Sequence, residues 1–537
     1  MCGITVCLGQ TAPSDVRKSL SFLEARGPEG SKITLLSERA AFGFTRLAIN
    51  GLTQEGMQPF QNYSLTWMCN GEIYNSNELN HSLGIDSAGS DCYCIGDLYL
   101  RHQDDLATFA RSLDGVFALA IYDAARNQVI LARDPYGIRP LYVGSDLNGN
   151  MCFASEIKAL TPQHCNIRHF APGTIEVYCM NTLTLSKTIQ YHTVPWITNT
   201  TLLLDSAIDS IRLALLASVE KRMLTDRPVA ALLSGGLDSS LIASMVQKSL
   251  TRLAQPPLKT FSIGFKGSSD LKHARLVADY IGSDHTEIEM TPDQFFEAIP
   301  EVIKAIESYD TTTVRASVGN YLIAKEIRKR TECKVVFNGD GADELFGGYL
   351  YFRSAPNNAA FHAETGRLLE DIHFFDVLRS DRSISSNGLE ARTPFLDKQF
   401  VSIVRSLPPN LLKPVPGKIE KSILRESFYD GWLPNEVLMR RKEAFSDGVS
   451  SPEKAWFQEI QERVSKCIPH DWRKHNSNME HLRPQTPEEY YYRALFDNYY
   501  PQASKVNVPY RWMPKWSPET KDPSARTLNV YNESSTS

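Results

Sequence analysis

The chain has 537 residues, 42 % hydrophobic and 22 % charged, which is ordinary for a globular protein and too long for one hydrophobic core, so two or more domains are expected. A net charge of -5 with no dense Lys/Arg run excludes a protein that tracks a nucleic-acid backbone. No basic start leads into an apolar stretch and charges interrupt every long apolar segment, so neither a signal peptide nor a membrane span is expected, and the cytoplasm is the expected location.

Residues 1 to about 180 carry short apolar runs separated by turn residues, the pattern of strands: Gly3 to Leu8, Ala41 to Leu47, Leu65 to Cys69, Val116 to Tyr122, Val129 to Arg133, Leu141 to Val143 and Thr174 to Tyr178. Helical pattern is scarcer, near Asp15 to Glu24 and Ile95 to His102, so an α+β domain led by sheet is expected. From about Thr161 to Thr201 the periodicity weakens and Pro, Thr and Asn accumulate, which places a join between domains at 2–190 and 205–531. A helix near Ser206 follows, with Ile208, Ile211, Leu215, Val219 and Met223 on one face.

The texture then changes. Val229 to Leu233 is continuously apolar, as a strand buried on both faces should be, and strands at Thr260 to Phe265, Thr286 to Met290 and Val335 to Phe337 alternate with helix-length segments. This alternation predicts an α/β domain, a parallel sheet with helices on both faces and ligands at the carboxyl ends of its strands. Beyond residue 350 the chain reads as largely helical, ending in a short polar tail after Asn532.

Ten cysteines are scattered, and only Cys92 and Cys94 are close, so neither a disulfide framework nor zinc spacing is expected; nine read as small buried hydrophobes or inert thiols. Cys2 is the exception. Removal of Met1 would put an α-amine on the residue that carries the thiol, and such an amine titrates near neutrality and can take the thiol proton. Downstream of the strand that ends at Cys69, the Asn70 amide and the Gly71 N–H could converge on one oxygen as an oxyanion hole; an isolated Asn-Gly pair is otherwise a tight turn.

Met1-Cys2-Gly3-Ile4, Arg26-Gly27-Pro28, Arg46 to Ile49, Asn70 to Asn75, Ser90-Asp91 and Arg133 to Leu141 resemble the class II, N-terminal-nucleophile (Ntn) glutamine amidotransferases. That resemblance implies an αββα sandwich that hydrolyses glutamine to glutamate and ammonia. Cys2 would attack the side-chain amide, with Asn70 and Gly71 stabilising the oxyanion. Arg46 would hold the glutamine carboxylate, and Glu72 and Asp91 its amino group, helped by carbonyls near Leu47 and Ile49. Where the family commonly has a histidine before Arg-Gly-Pro and an aspartate after it, this chain has Ala25 and Glu29.

In the second half, Ser234-Gly235-Gly236-Leu237-Asp238-Ser239-Ser240 follows a buried strand and precedes a helix, so backbone N–H groups and a positive helix end face an anion. The run lacks the lysine of a γ-phosphate loop and fits pyrophosphate as the leaving group. Asp238 within it makes sense as a Mg²⁺ ligand, and a second acidic loop, Asn338 to Glu344, at the end of another predicted strand, faces the same crevice.

These segments resemble the PP-loop ATP pyrophosphatases, and the two halves together are similar to the glutamine-hydrolysing asparagine synthetase family across nearly the whole chain. Further matches include Tyr309 to Ser317, Gly388 to Asp397, Glu420-Lys421, Lys442 to Gly448 and Asp522 to Arg526. The resemblance implies a doubly wound PP-loop domain that uses aspartate, glutamine and ATP with Mg²⁺, and it is compatible with a homodimer. Aspartate would form β-aspartyl-AMP and pyrophosphate, and ammonia carried through an internal passage would displace AMP. Asp238 and Asp343 would hold Mg²⁺, Ser234, Gly235, Gly236, Asp238 and Ser239 the pyrophosphate, and Leu233, Ile263, Asn338 and Gly339 the rest of ATP. Lys421 would neutralise phosphate charge, and Arg315 would bind aspartate or phosphate. Asp340 stands where the family usually has a glutamate near the ammonia, one methylene longer.

Two other readings compete: an amidotransferase acting on another carboxyl, and a catalytically silent scaffold. The C-terminal similarity weighs against the first, and retention of Cys2 and Asp238 against the second.

Overall fold

The computed structural model describes residues 1–528 apart from 87–88, 161–163, 197–200, 416, 452, 477–478 and 519; the expected polar tail lies outside the described residues. Among the described residues the N-terminal half contains twelve strands: β1 (Gly3–Leu8), β2 (Ser31–Ser37), β3 (Ala40–Thr45), β4 (Phe60–Asn62), β5 (Leu65–Ile73), β6 (Gly115–Asp123), β7 (Gln128–Arg133), β8 (Tyr142–Ser145), β9 (Met151–Ala154), β10 (Asn166–His169), β11 (Thr174–Cys179) and β12 (Thr184–Gln190). They form two antiparallel six-stranded sheets, ordered β10-β8-β9-β1-β3-β2 and β12-β11-β7-β6-β5-β4.

Strand alternation sorts the side chains into layers. Ile4, Val6, Phe42 and Phe44 of the first sheet meet Met68, Ala118, Ala120 and Leu131 of the second, which fills the space between the sheets. On the outer side of the second sheet, Trp67, Phe117 and Leu119 pack with Ile95, Leu98 and Phe109 of helices α3 (Ile95–His102) and α4 (Leu106–Ser112). Helix α1 (Ala12–Ser21) packs on β1 and β3 and sends Val16 into the cluster that holds Cys7 and Ala41. A short α2 (Ser76–Leu83) follows β5.

After α5 (Leu204–Lys221), five parallel strands run β15-β14-β13-β16-β17 across the sheet: β13 (Val229–Leu232), β14 (Lys259–Gly264), β15 (Asp284–Glu289), β16 (Val335–Phe337) and β17 (Glu390–Arg392). Val229, Ala231, Val335 and Phe337 face α5, α6 (Leu237–Arg252) and α7 (Ser269–Ile281). The alternate residues Ala230, Phe261, Ile263 and Val336 face α8 (Pro292–Ile306) and α9 (Thr311–Arg330). Helices therefore cover both faces, and the strand order reverses beside β13, where a crevice opens at the carboxyl ends. The later part is largely helical and includes α10 (Ala342–Phe346), α11 (Asn358–Asp371) and α12 (Asp376–Ser385), with β17 an added short strand. Among the described residues no helix is long and apolar enough to cross a membrane.

Three expectations are corrected. The strand read as ending at Cys69 continues to Ile73, because β6 pairs with it as far as Gly115, so Asn70, Gly71 and Glu72 lie within a strand instead of after it. Cys7 and Cys152, read as inert thiols, are disulfide-bonded, since β1 and β9 place them directly opposite each other. The weakly periodic stretch from 161 holds, besides the strand expected at Thr174 to Tyr178, two that were not expected, β10 and β12.

Candidate functional site

Cys2 stands at the head of β1. Its Sγ donates to the Leu47 carbonyl at 3.6 Å and accepts from the Leu47 N–H at 3.5 Å, while Arg26 Nε donates to the Cys2 carbonyl at 2.8 Å. Met1 is buried before it, with its amine donating to the Leu389 carbonyl at 3.0 Å. Burial lowers that amine to about 5 and pushes the Cys2 thiol up to about 11. The Asn70 side chain is buried with both Nδ2 and Oδ1 lacking a partner, a donor left free in a region where such groups are normally satisfied. At Gly71 an added Cβ would stand 2.2 Å from the Val116 carbonyl, so the close β5–β6 approach requires glycine.

Glu72 accepts from Asn50 Nδ2 and lies 3.4 Å from Arg392; burial, then Glu390 and Asp91, raises its carboxyl well above the usual range. Asp91 accepts from the Ile73 N–H at 2.7 Å and is likewise raised by burial. Arg46 is buried but donates to the carbonyls of Thr53, at 2.6 Å, and Gly51, so its fork is partly occupied within its own loop. The Ile49 carbonyl accepts from the Asp226 N–H at 3.0 Å.

The second centre is a crevice of about 260 Å³ at the ends of β13 and β16. Of the residues assigned from sequence to nucleotide, metal and amide chemistry, Gly235 alone does not line it. Gly235 has φ +68° and its missing Cβ would meet the Ala274 N at 2.4 Å, so it shapes the loop from behind. Ser239, in the first turn of α6, bonds back through its Oγ to Ser234 Oγ at 3.0 Å. A Cβ on Gly339 would lie 2.8 Å from both Asp238 Cβ and Ser239 N, which shows how closely the β13 and β16 loops touch.

Lys421 is 2 % exposed and places its Nζ 2.6 Å from both Asp238 and Asp343. Lys442 adds a second ammonium 2.5 Å from Asp343. Burial alone would raise the Asp343 carboxyl, but the two lysines hold it far below the usual carboxylate range. Asp238 Oδ1 is buried without a partner. Among the described residues no cluster of three or more metal-ligating side chains exists. Two carboxylates with a spare oxygen nevertheless suit Mg²⁺, which takes its remaining ligands from phosphates and water.

Arg315 lines the crevice, yet its guanidinium is bidentate to Glu488 and to Asp522 at 2.7 to 2.8 Å. It ties α9 to helix Pro487–Tyr499 and to the C-terminal segment, and is not presented as an open substrate cation. Asn338 Nδ2 donates to Ser380 Oγ at 2.7 Å, and Asp340 pairs with Arg379 at 2.9 Å. Sequence reasoning missed Lys442 and Arg379. Lys442 sits in a recognised motif, Lys442 to Gly448, to which no role had been given; nothing local marks Arg379.

Between the centres lies a buried ionic layer. Arg26 Nη1 is 2.8 Å from both Glu156 and Asp381, Arg382 is 2.9 Å from Asp381, Arg139 is 3.5 Å from Glu390, and Arg392 joins Glu390 at 2.9 Å to Glu72. Three of these pairs, Arg26–Asp381, Arg139–Glu390 and Arg392–Glu72, join the two halves, so the Cys2 site and the crevice are held to one frame.

A partly exposed cysteine beside an unpartnered asparagine amide on a paired antiparallel sandwich, joined to a crevice at the ends of a parallel sheet, is the arrangement expected of an ATP-using glutamine amidotransferase. Residues 1–209 match the glutamine amidotransferase domain model, and residues 210–364 and 354–528 match the asparagine synthase model. The chain is 40 % identical over 565 residues to the glutamine-hydrolysing asparagine synthetase of Homo sapiens, and 39 % identical over 565 to those of Cricetulus griseus and Gallus gallus, with 99 % of both chains covered in each case. It belongs to the glutamine-hydrolysing asparagine synthetase family.

Proposed function

We infer that this chain synthesises asparagine in the cytoplasm from aspartate, glutamine and ATP, releasing glutamate, AMP and pyrophosphate. The reading is carried by similarity along the full length to asparagine synthetases, in a chain whose Cys2, Asp238, Asp343 and Lys421 stand in the motifs that resemble that family. The N-terminal half, 2–190, is read as an Ntn-type αββα glutaminase and residues 205–531 as a doubly wound PP-loop domain.

With Met1 removed, the new α-amine of Cys2 takes the thiol proton, and the thiolate attacks the glutamine amide carbon. Asn70 Nδ2 and the Gly71 N–H receive the oxyanion, which accounts for the unpartnered Asn70 amide. Glu72 and Asp91 receive the substrate amino group, and Arg46 turns its fork from its own loop to the substrate carboxylate. In the second half, Ser234 to Ser239 cradle the β- and γ-phosphates while the aspartate β-carboxylate attacks the α-phosphorus. Mg²⁺, when bound between Asp238 and Asp343, would offset phosphate charge. Lys421 and Lys442, freed from those carboxylates, supply the remaining positive charge as pyrophosphate departs. Ammonia must reach the acyl adenylate unprotonated and sheltered from bulk water, which the shared frame of the two centres supports.

The test is a product assay. Purified protein given aspartate, glutamine and ATP should yield asparagine, glutamate, AMP and pyrophosphate in equal amounts. Absence of asparagine while glutamate and AMP accumulate would sink the reading.

A further inference from the structure

Asp340 lies in the acidic loop after β16 and carries a carboxylate one methylene shorter than the glutamate that the family resemblance leads one to expect there. It lines the crevice, and one of its oxygens, Oδ2, is buried without a partner. The other, Oδ1, accepts from Arg379 Nη2 at 2.9 Å. Arg379 projects from the first turn of α12, and the same Nη2 donates at 2.8 Å to Asp376 three residues earlier, so the guanidinium is itself anchored. Below Asp340, the Asn338 side chain accepts from the Asp340 N–H at 3.3 Å.

We propose that Arg379 is a positioning residue for the amide-forming step: it fixes Oδ1 of Asp340 so that the unpartnered Oδ2 faces the incoming nitrogen. In that step the ammonia lone pair attacks the acyl carbon, the C–N bond forms, and the C–O bond to phosphorus breaks with its electron pair leaving on AMP. Oδ2 takes one N–H proton and returns it to solvent once asparagine has left. A short carboxylate reaches less far than glutamate and tolerates less wandering. An ångström of misplacement at such a group costs on the order of 10²-fold in rate.

This inference rests on the proposed function, and its test separates the two. Ammonium chloride replaces glutamine, so Cys2 plays no part, and single-turnover formation of pyrophosphate and of asparagine is followed in Arg379→Met, Arg379→Lys, Asp340→Asn and the Arg379→Met/Asp340→Asn double variant. Arg379→Met should slow asparagine about 10²-fold while pyrophosphate slows by less than about threefold. Arg379→Lys, which keeps the charge, should slow asparagine alone by about tenfold. The double variant should be no slower than the worse single variant. Equal slowing of both products in either Arg379 variant, or multiplied losses in the double, overturns the assignment; if Arg379→Met does not fold, Arg379→Lys decides. No asparagine from the unaltered chain would instead sink the function itself.

Discussion

Retention of Met1 is a perturbation whose effect follows from the pocket itself. With Met1 present, its amine is committed to the Leu389 carbonyl and the Cys2 thiol sits near 11. Four pH units below that value, at pH 7, about one molecule in 10⁴ carries a thiolate. Removal of Met1 creates an amine on Cys2 whose ordinary value, about 8, lets it hold a proton taken from the neighbouring sulfur. Protein made with methionine aminopeptidase inhibited, and verified by intact mass, should therefore release glutamate at least about 10²-fold more slowly than processed protein. Asparagine formation from ammonium chloride should stay within about twofold, since the phosphate crevice is untouched. The Met1-bearing protein hydrolysing glutamine at the processed rate would refute the amine-assisted thiol.

Other outcomes follow from the same geometry. Cys2→Ala should abolish use of glutamine and leave synthesis from ammonium salts, as read by asparagine formation with each donor. Gly339→Ala places a methyl 2.8 Å from Asp238 Cβ and Ser239 N, and AMP formation should fall on the order of 10²-fold with glutamate release preserved. Chelation of Mg²⁺ with EDTA should stop AMP formation while glutamate release continues. Burial pushes the Asp397 carboxyl up, but Arg222 and Lys221 draw it down to about 2, below its unfolded value of about 3.9. Its contribution, on the order of 3 kcal/mol, is present above pH 4 and lost as pH falls toward 2, so Asp397→Asn should flatten the acid limb of urea stability measured against pH.

What the sequence disclosed depended on where the physics was local. Gly3 to Leu8, Ile95 to His102 and Val335 to Phe337 appear within the bounds expected, because each is a short apolar or amphipathic run whose own residues bury it. Ser31–Ser37 and Thr184–Gln190 are mostly exposed edge strands with no apolar alternation to announce them, and their neighbours impose the register. Asn70-Gly71 reads as a turn on composition, but β6 continues to pair with it, and tertiary context overrides the local preference. The Cys7–Cys152 bond joins residues 145 apart, a separation no spacing rule reaches. The phosphate loops were legible as loops. That Lys421 bridges their carboxylates, that Lys442 pairs with Asp343, and that Arg315 is taken up by Glu488 and Asp522, requires distances between segments far apart in the chain.

The buried ion pairs that cross between the halves also bear on how such a chain can change over generations. Cut at the linker, each piece would expose arginines or carboxylates whose counterparts went with the other, and their former burial would become a liability for folding. Exchange of one half for that of a cousin succeeds only where Arg26, Arg139 and Glu156 meet the acids and bases they expect at Asp381, Arg382 and Glu390. Two chemistries housed in separate halves are thus inherited as a matched pair, and drift at this seam should proceed by compensating exchanges instead of single ones.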